Sequence, residues 1–297
     1  MRALLPLAPA AEITLEANPG TFERERFAAY RAAGVTRLSV GVQSFNDRHL
    51  QAIGRVHSSQ QARAALEEAA RVFETFNLDL MYALPGQTLH ELEADVRAAL
   101  AWAPPHLSIY HLSIEAGTHF AKRPPALPDE DTAWDMLDAL TRLTAEAGLP
   151  RYEVSAYARS PAHQCVHNLN YWQFGDYLGI GAGAHAKISF PQRVVRQSRP
   201  KNPQLYMERA LAGYAVAEEN DVPRADLPFE YMLGALRLRE GFDLADYTAR
   251  TGQPISAIAA LLEQAAQKGW IERRGSHIRP TPKGFDFLSD LQQLFLP

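Results

Sequence analysis

Residue types able to carry chemistry stand at the ends of apolar runs in this sequence. Ile13-Thr14-Leu15-Glu16 runs into Asn18-Pro19-Gly20, and Leu38-Ser39-Val40-Gly41-Val42 into Gln43-Ser44. Leu78-Asp79-Leu80-Met81-Tyr82 leads to Leu84-Pro85-Gly86, and Leu107-Ser108-Ile109-Tyr110 towards Glu115-Ala116-Gly117. The carboxylates of Glu16 and Asp79 accept hydrogen bonds, the Gln43 amide both donates and accepts, and the Arg55 guanidinium can fork onto a ligand carboxylate. A second constellation is Cys165-Val166-His167-Asn168, since thiolate and imidazole are both iron-ligating groups. Tyr171 and Trp172 beside it supply a flat apolar wall. On chemistry alone a histidine in a loop is more often a hydrogen-bonding residue than a ligand. His185, closing a glycine-rich run, is expected to face the same cavity.

Other chemistries find no support. Zinc would need a second Cys or His pair at ligand spacing. Gly179, Gly181 and Gly183 lack the spacing of a dinucleotide loop and read as close-packing positions. No Ser-His-Asp or paired-carboxylate arrangement points to a metal-independent hydrolase.

The elements that must position these groups are strands alternating with helices. Helical patterns cover Thr21 to Ala33 with Phe22, Phe27 and Tyr30, Gln60 to Phe76 behind a Ser58 or Ser59 cap, and a run opened by the capping box Thr88-Leu89-His90-Glu91. Asp129-Glu130-Asp131 places negative charge at the positive end of another helix, which runs to Gly148. A further strand is expected from Arg151 to Tyr157, and a glycine-rich loop from Tyr177 to His185. This order predicts an α/β fold of parallel (β/α)-barrel type, with its active mouth formed by the loops after the strands. From about Leu227 the pattern changes to short helices and a hairpin around Arg274-Gly275, the order of a winged helix. The expected domains are residues 1–220, a partial barrel with an extension, and residues 221–297.

Composition bounds the partners. A net charge of -4 over 297 residues argues against a phosphate-backbone binder, and residues 226 to 297 hold eight basic against nine acidic side chains. No nucleic acid is expected. The single cysteine allows no internal disulfide, which suggests the cytoplasm. Met1 to Ala11 imitates a signal peptide, but Pro6 and Pro9 interrupt it, and no segment reaches transmembrane length.

Taken together, Leu15-Glu16-Ala17-Asn18-Pro19-Gly20, Gly41-Val42-Gln43-Ser44-Phe45, Gly54-Arg55-Val56-His57, Asp79 to Thr88 and Leu178-Gly179-Ile180-Gly181 resemble the radical S-adenosylmethionine proteins of oxygen-independent coproporphyrinogen oxidase type. The segment His167-Asn168-Leu169-Asn170-Tyr171-Trp172 resembles the His-Asn-x-x-Tyr-Trp signature of the HemW haem chaperones within that family. The resemblance spans essentially the whole chain. It implies S-adenosylmethionine contacts at Glu16, Gln43, Arg55 and Asp79, and haem contacts at His167, Tyr171 and Trp172, with Cys165 a lesser candidate. It also implies delivery of haem to client proteins, respiratory ones among the candidates. The alternative is an oxygen-independent coproporphyrinogen III dehydrogenase, which decarboxylates porphyrin propionates.

Family members also hold a four-iron four-sulfur cluster on a Cys-x-x-x-Cys-x-x-Cys loop, followed by a Gly-Gly-Gly-Thr-Pro loop, and neither is in this sequence. At roughly 30 residues per strand–helix unit these features would occupy about 80 residues ahead of Met1. The expectation is a reading frame that opens upstream, and a chain that, as it stands, does not cleave S-adenosylmethionine.

Overall fold

A computed structural model describes residues 7–19 and 24–297, divided between two compact units, Met1–Gln164 and Cys165–Pro297. Pro6 and Gly20, and the Thr21 and Phe22 expected to open the first helix, lie outside the described residues.

The first unit alternates strand and helix: β1 (Thr14–Ala17), α1 (Arg24–Ala33), β2 (Arg37–Gln43), α2 (Asp47–Ala52), α3 (Ser59–Val72), β3 (Thr75–Tyr82), α4 (Leu89–Leu100), β4 (His106–His111), α5 (His119–Lys122), α6 (Glu130–Glu146) and β5 (Ala156–Ala158). The strands form one sheet in that order, and β1 to β4 run parallel. The fold is therefore α/β with a parallel sheet. Two-residue alternation sorts its faces. Leu38, Val40, Val42, Leu78, Leu80, Leu107 and Ile109 are buried in one core with Ala65 and Leu66 of α3, Leu92 and Val96 of α4, and Met136 and Leu140 of α6. Ser39 and Gly41, Asn77 and Asp79, and His106, Ser108 and Tyr110 occupy the alternate positions, so the face turned away from the helices is polar. Registers Glu16↔Ser39, Gly41↔Asp79 and Asp79↔Ser108 bring these side chains into rows.

The helix starts follow their capping signals. Ser58 with Gln61, and Thr88 with Glu91, form reciprocal capping boxes, and Asp129 accepts from the Thr132 N–H. Two elements depart from the expectation. α3 stops at Val72, and the strand reaches back to Thr75, because Arg37↔Thr75 and Leu38↔Phe76 extend the ladder and bury Phe76. The strand expected over Arg151 to Tyr157 shrinks to Ala156–Ala158 and runs antiparallel to β4. The Arg151 guanidinium bonds the carbonyls of Glu153 and Val154, and the Tyr152 N–H bonds the Ala156 carbonyl, so residues 151–157 fold back as a turn.

The second unit contains α7 (Val166–Trp172), β6 (His185–Ser189), β7 (Val194–Ser198), α8 (Pro203–Leu211), β8 (Glu218–Asp221), α9 (Leu227–Ala235), β9 (Phe242–Asp243), α10 (Leu244–Thr251), α11 (Ala259–Gln267), β10 (Ile271–Arg274), β11 (His277–Pro280), α12 (Pro282–Asp286) and α13 (Leu288–Gln293). It holds two antiparallel three-stranded sheets, β6-β7-β8 and β10-β11-β9. The helix–helix–hairpin order expected after Leu227 is present. The division by packing falls at Gln164/Cys165 rather than at 220/221, because Phe174 and Val194 join Tyr231, Met232, Phe242 and Tyr247 in one core. Among the described residues no helix is long and apolar enough to cross a membrane.

Candidate functional sites

On the polar face of the first sheet, one amide organises its neighbours. Asn77 donates from Nδ2 to Asp79 Oδ1 at 2.8 Å and to Ser39 Oγ at 2.8 Å, which leaves its Oδ1 to accept from Ser108 Oγ at 3.1 Å. The same oxygen lies 2.7 Å from His106 Nδ1, so that nitrogen must carry the proton, and Nε2 accepts from the Tyr152 hydroxyl at 2.9 Å. Ser39 Oγ donates to Asp79 Oδ2 at 3.1 Å. The directed chain from Tyr152 through His106 and Asn77 ends on the Asp79 carboxylate. Burial pushes that carboxyl above its ordinary range; the bonds from Asn77 and Ser39 oppose the rise, and the charge of Glu16 adds to it.

Beside this chain, β2 ends in an irregular register between Gly41 and Gln43, and Gln43 takes the left-handed conformation at φ 63°. Its side chain lies over Gly41, where a Cβ would stand 3.1 Å from Gln43 Nε2 and 3.5 Å from Asn18 Oδ1. Asn18 Oδ1 also accepts from Arg55 Nη1 at 3.1 Å. Asp95 of α4 fixes the turn that follows, accepting from Ser44 Oγ at 2.6 Å and from the Phe45 N–H at 2.8 Å. Gln43 Oε1 is buried and has no hydrogen-bond partner among the described residues. Glu16, Gln43 and Asp79 thus belong to β1, β2 and β3 of one sheet, and Arg55 reaches the end of β1 from the loop after α2 through Asn18. Asn18, which bonds Arg55, and Asn77, which bonds Asp79, were not singled out from the sequence as site residues. The polar residues at alternate positions of β3 and β4 were the signal for Asn77, His106 and Ser108.

The other constellation lies in the second unit. Cys165 is buried as the N-cap of α7, its Sγ 3.1 Å from His167 Nδ1. One turn on, the Tyr171 ring meets the edges of His167 and Tyr177, with centroids 6.3 and 4.7 Å apart. Tyr171 and Trp172 wall a cavity of about 400 Å³ with Phe174, Tyr177, His185, Lys187, Arg196, Glu230 and Leu233; His167 does not line it. The floor is the β6–β7 ribbon, in which Lys187 lies opposite Arg196. Lys187 Nζ is buried on the Phe174 carbonyl and on Asp176 Oδ1, both at 2.9 Å. Arg196 bonds Glu230 and, at 3.3 Å, the Tyr177 hydroxyl. Trp172 stacks under Arg237, 4.2 Å from its centroid, while its indole N–H is buried with no acceptor among the described residues.

Two glycines allow close backbone approaches, one lining this cavity and one behind His185. At Gly234 a Cβ would come 2.9 Å from the Trp172 carbonyl oxygen, so α9 meets α7 backbone to backbone. At Gly179 it would come 2.2 Å from the His185 carbonyl oxygen, seating the loop on β6. Gly181 and Gly183 instead take positive φ, with open space or only an ordinary contact where a Cβ would go.

The radical SAM superfamily pattern matches residues 1–99, and the HemN C-terminal domain pattern matches residues 222–287. The chain is 44% identical over 298 residues to heme chaperone HemW of Escherichia coli, covering 100% of this chain and 78% of that protein. It is 46% identical over 287 residues to heme chaperone HemW of Haemophilus influenzae, covering 96% and 74%. Among solved structures, the coproporphyrinogen III oxidase HemN of Escherichia coli, a radical SAM enzyme, shares the fold with a TM-score of 0.79 at 21% identity, covering 96% of this chain and 69% of that one. This chain belongs to the HemW family of the radical SAM superfamily.

Proposed function

We propose that the chain binds haem and delivers it to client haem proteins. The observation that carries this reading is the aromatic-walled cavity of the second unit, whose Tyr171 and Trp172 come from the His167 to Trp172 segment. A porphyrin needs flat apolar contact and a ligand for its iron, and this cavity combines aromatic rings with an imidazole. Relatives named heme chaperone support this reading over the porphyrinogen dehydrogenase. The cytoplasm suits it, because a thiol such as Cys165 stays reduced there.

In the first unit we assign S-adenosylmethionine to the polar face, through Glu16, Gln43, Arg55 and Asp79. The buried Gln43 oxygen that lacks a partner and the close floor at Gly41 fit a polar ligand laid across the strand ends. That cofactor would supply a cationic sulfonium and hydroxyl and amino groups, for which the carboxyl groups of Glu16 and Asp79 are suited acceptors. Arg55 suits its methionine carboxylate. An iron–sulfur cluster does not fit the residues present, since the chain's only cysteine is Cys165, in the second unit.

The test is haem transfer. Load the chain with haem, mix it with an apo haem protein, and follow the Soret band. Transfer should outpace uptake of free haem, and Tyr171→Ala and Trp172→Ala should weaken loading. Loading that ignores both substitutions would refute the site, and transfer no faster than from free haem would refute the chaperone.

A further inference from the structure

We propose that His185 is the iron ligand inside the cavity of the second unit and that His167 acts on the site through Tyr171. This rests on the haem reading above and sharpens it to one atom pair. Three observations carry it. His185 lines the cavity with Tyr171, Trp172, Tyr177, Lys187 and Arg196, whereas His167 does not. The imidazole of His185 is exposed and makes no hydrogen bond among the described residues, so both ring nitrogens remain available. His167 already holds a partner, with Nδ1 3.1 Å from the buried Cys165 thiol, and its ring meets the edge of Tyr171.

The backbone around His185 is fixed in a way that suits a ligand. The residue opens β6 opposite Ser198, and the Gly179 segment lies directly against its carbonyl. Alternation along β6 puts His185 and Lys187 on one face, with Arg196 opposite Lys187. An iron held by His185 would therefore bring the macrocycle against the Tyr171–Trp172 wall, where Lys187 and Arg196 are already paired with Asp176 and Glu230. In the ligation step a neutral imidazole nitrogen donates its lone pair to iron and displaces a bound water, with no change of oxidation state and no net proton transfer.

The experiment uses the full chain with two probes, ferric haem and metal-free protoporphyrin. Haem binding is read from the Soret band and protoporphyrin binding from fluorescence, for the parent, His185→Ala and His167→Ala, with circular dichroism as the check on folding. His185→Ala should weaken haem by about tenfold or more and change the Soret position, while leaving protoporphyrin affinity unchanged, because only the iron has lost a partner. Added imidazole should restore the parent spectrum. His167→Ala should weaken both probes by a similar, smaller factor. The assignment is overturned if His185→Ala keeps the parent spectrum, if it weakens both probes alike, or if His167→Ala alone loses the ligand band. A parent that binds neither probe overturns the haem reading itself.

Discussion

The two sites are built on opposite plans. On the sheet of the first unit, Ser39, Asn77, Asp79, His106, Ser108 and Tyr152 are bonded to one another in a fixed direction, so the carboxyl group that ends the chain is held in place before any ligand arrives. In the cavity of the second unit the walls are aromatic, and two polar groups, the His185 imidazole and the Trp172 N–H, have no hydrogen-bond partner among the described residues. The first plan suits a small, polar, charged molecule whose every group must be matched. The second suits a broad apolar disc recognised at a few points. The difference predicts that substitutions in the first unit act through unsatisfied polar groups, and those in the second through shape.

The largest effect is expected where shape is tightest. Gly234→Val must push its branched side chain into the Trp172 carbonyl, only 2.9 Å from the position of a Cβ. Overpacking of this kind costs about 3 kcal/mol. Urea unfolding should show the loss, and haem affinity should fall with it; an unchanged midpoint would mean that α7 and α9 yield freely and that shape does not govern the cavity.

Next comes the hub of the polar chain. Asn77→Leu removes the partner of His106, Ser108 and Asp79 together, and stranding buried polar groups costs about 2 kcal/mol. S-adenosylmethionine affinity, measured by calorimetry, should drop as Asp79 loses its orientation. If stability and affinity both hold, the chain of bonds is incidental to the site.

The smallest effect has the opposite sign. Burial raises the Asp79 carboxyl above its ordinary 3.8, so its protonated form is the one the fold favours. That contribution is present below the usual carboxylate range and is lost as pH rises through the folded value, which leaves a cost at neutrality. Asp79→Asn should therefore raise the melting temperature at neutral pH by about 2–4 °C, the equivalent of ~1 kcal/mol in a domain of this size, while weakening the cofactor. The gain should close as the medium is acidified. A gain that stays constant with pH would locate the benefit elsewhere.

The first unit was largely legible because its signal is local. Leu38, Val40 and Val42 against Ser39, Gly41 and Gln43 announce a strand with one apolar and one polar face, and the capping residues Ser58, Thr88 and Asp129 mark their helices. The reversal at β5 was hidden, since the apolar content of Val154 to Ala158 is the same for either strand direction; the turn is made by the Arg151 side chain bonding back to the backbone. The cavity was half legible. The His167 to Trp172 signature and the glycine run pointed to Tyr171, Trp172 and His185, but no periodicity ties Arg196 or Gly234 to them. Their meeting depends on how α7, α9 and the β6–β7 ribbon pack, which is a property of the whole unit.

The brace between Asp95 and the Ser44 turn has a further consequence. Gln43 stands in a strained conformation that costs of order 1–3 kcal/mol, held by a carboxylate that arrives from α4, 51 residues after Ser44. α4 in turn is seated by Leu92, Val96 and Ala99, all fully buried. Core volume beneath that helix is thereby converted into the aim of a single amide at the mouth of the sheet. The aim of Gln43 can therefore drift through methyl-sized changes made well away from the mouth itself.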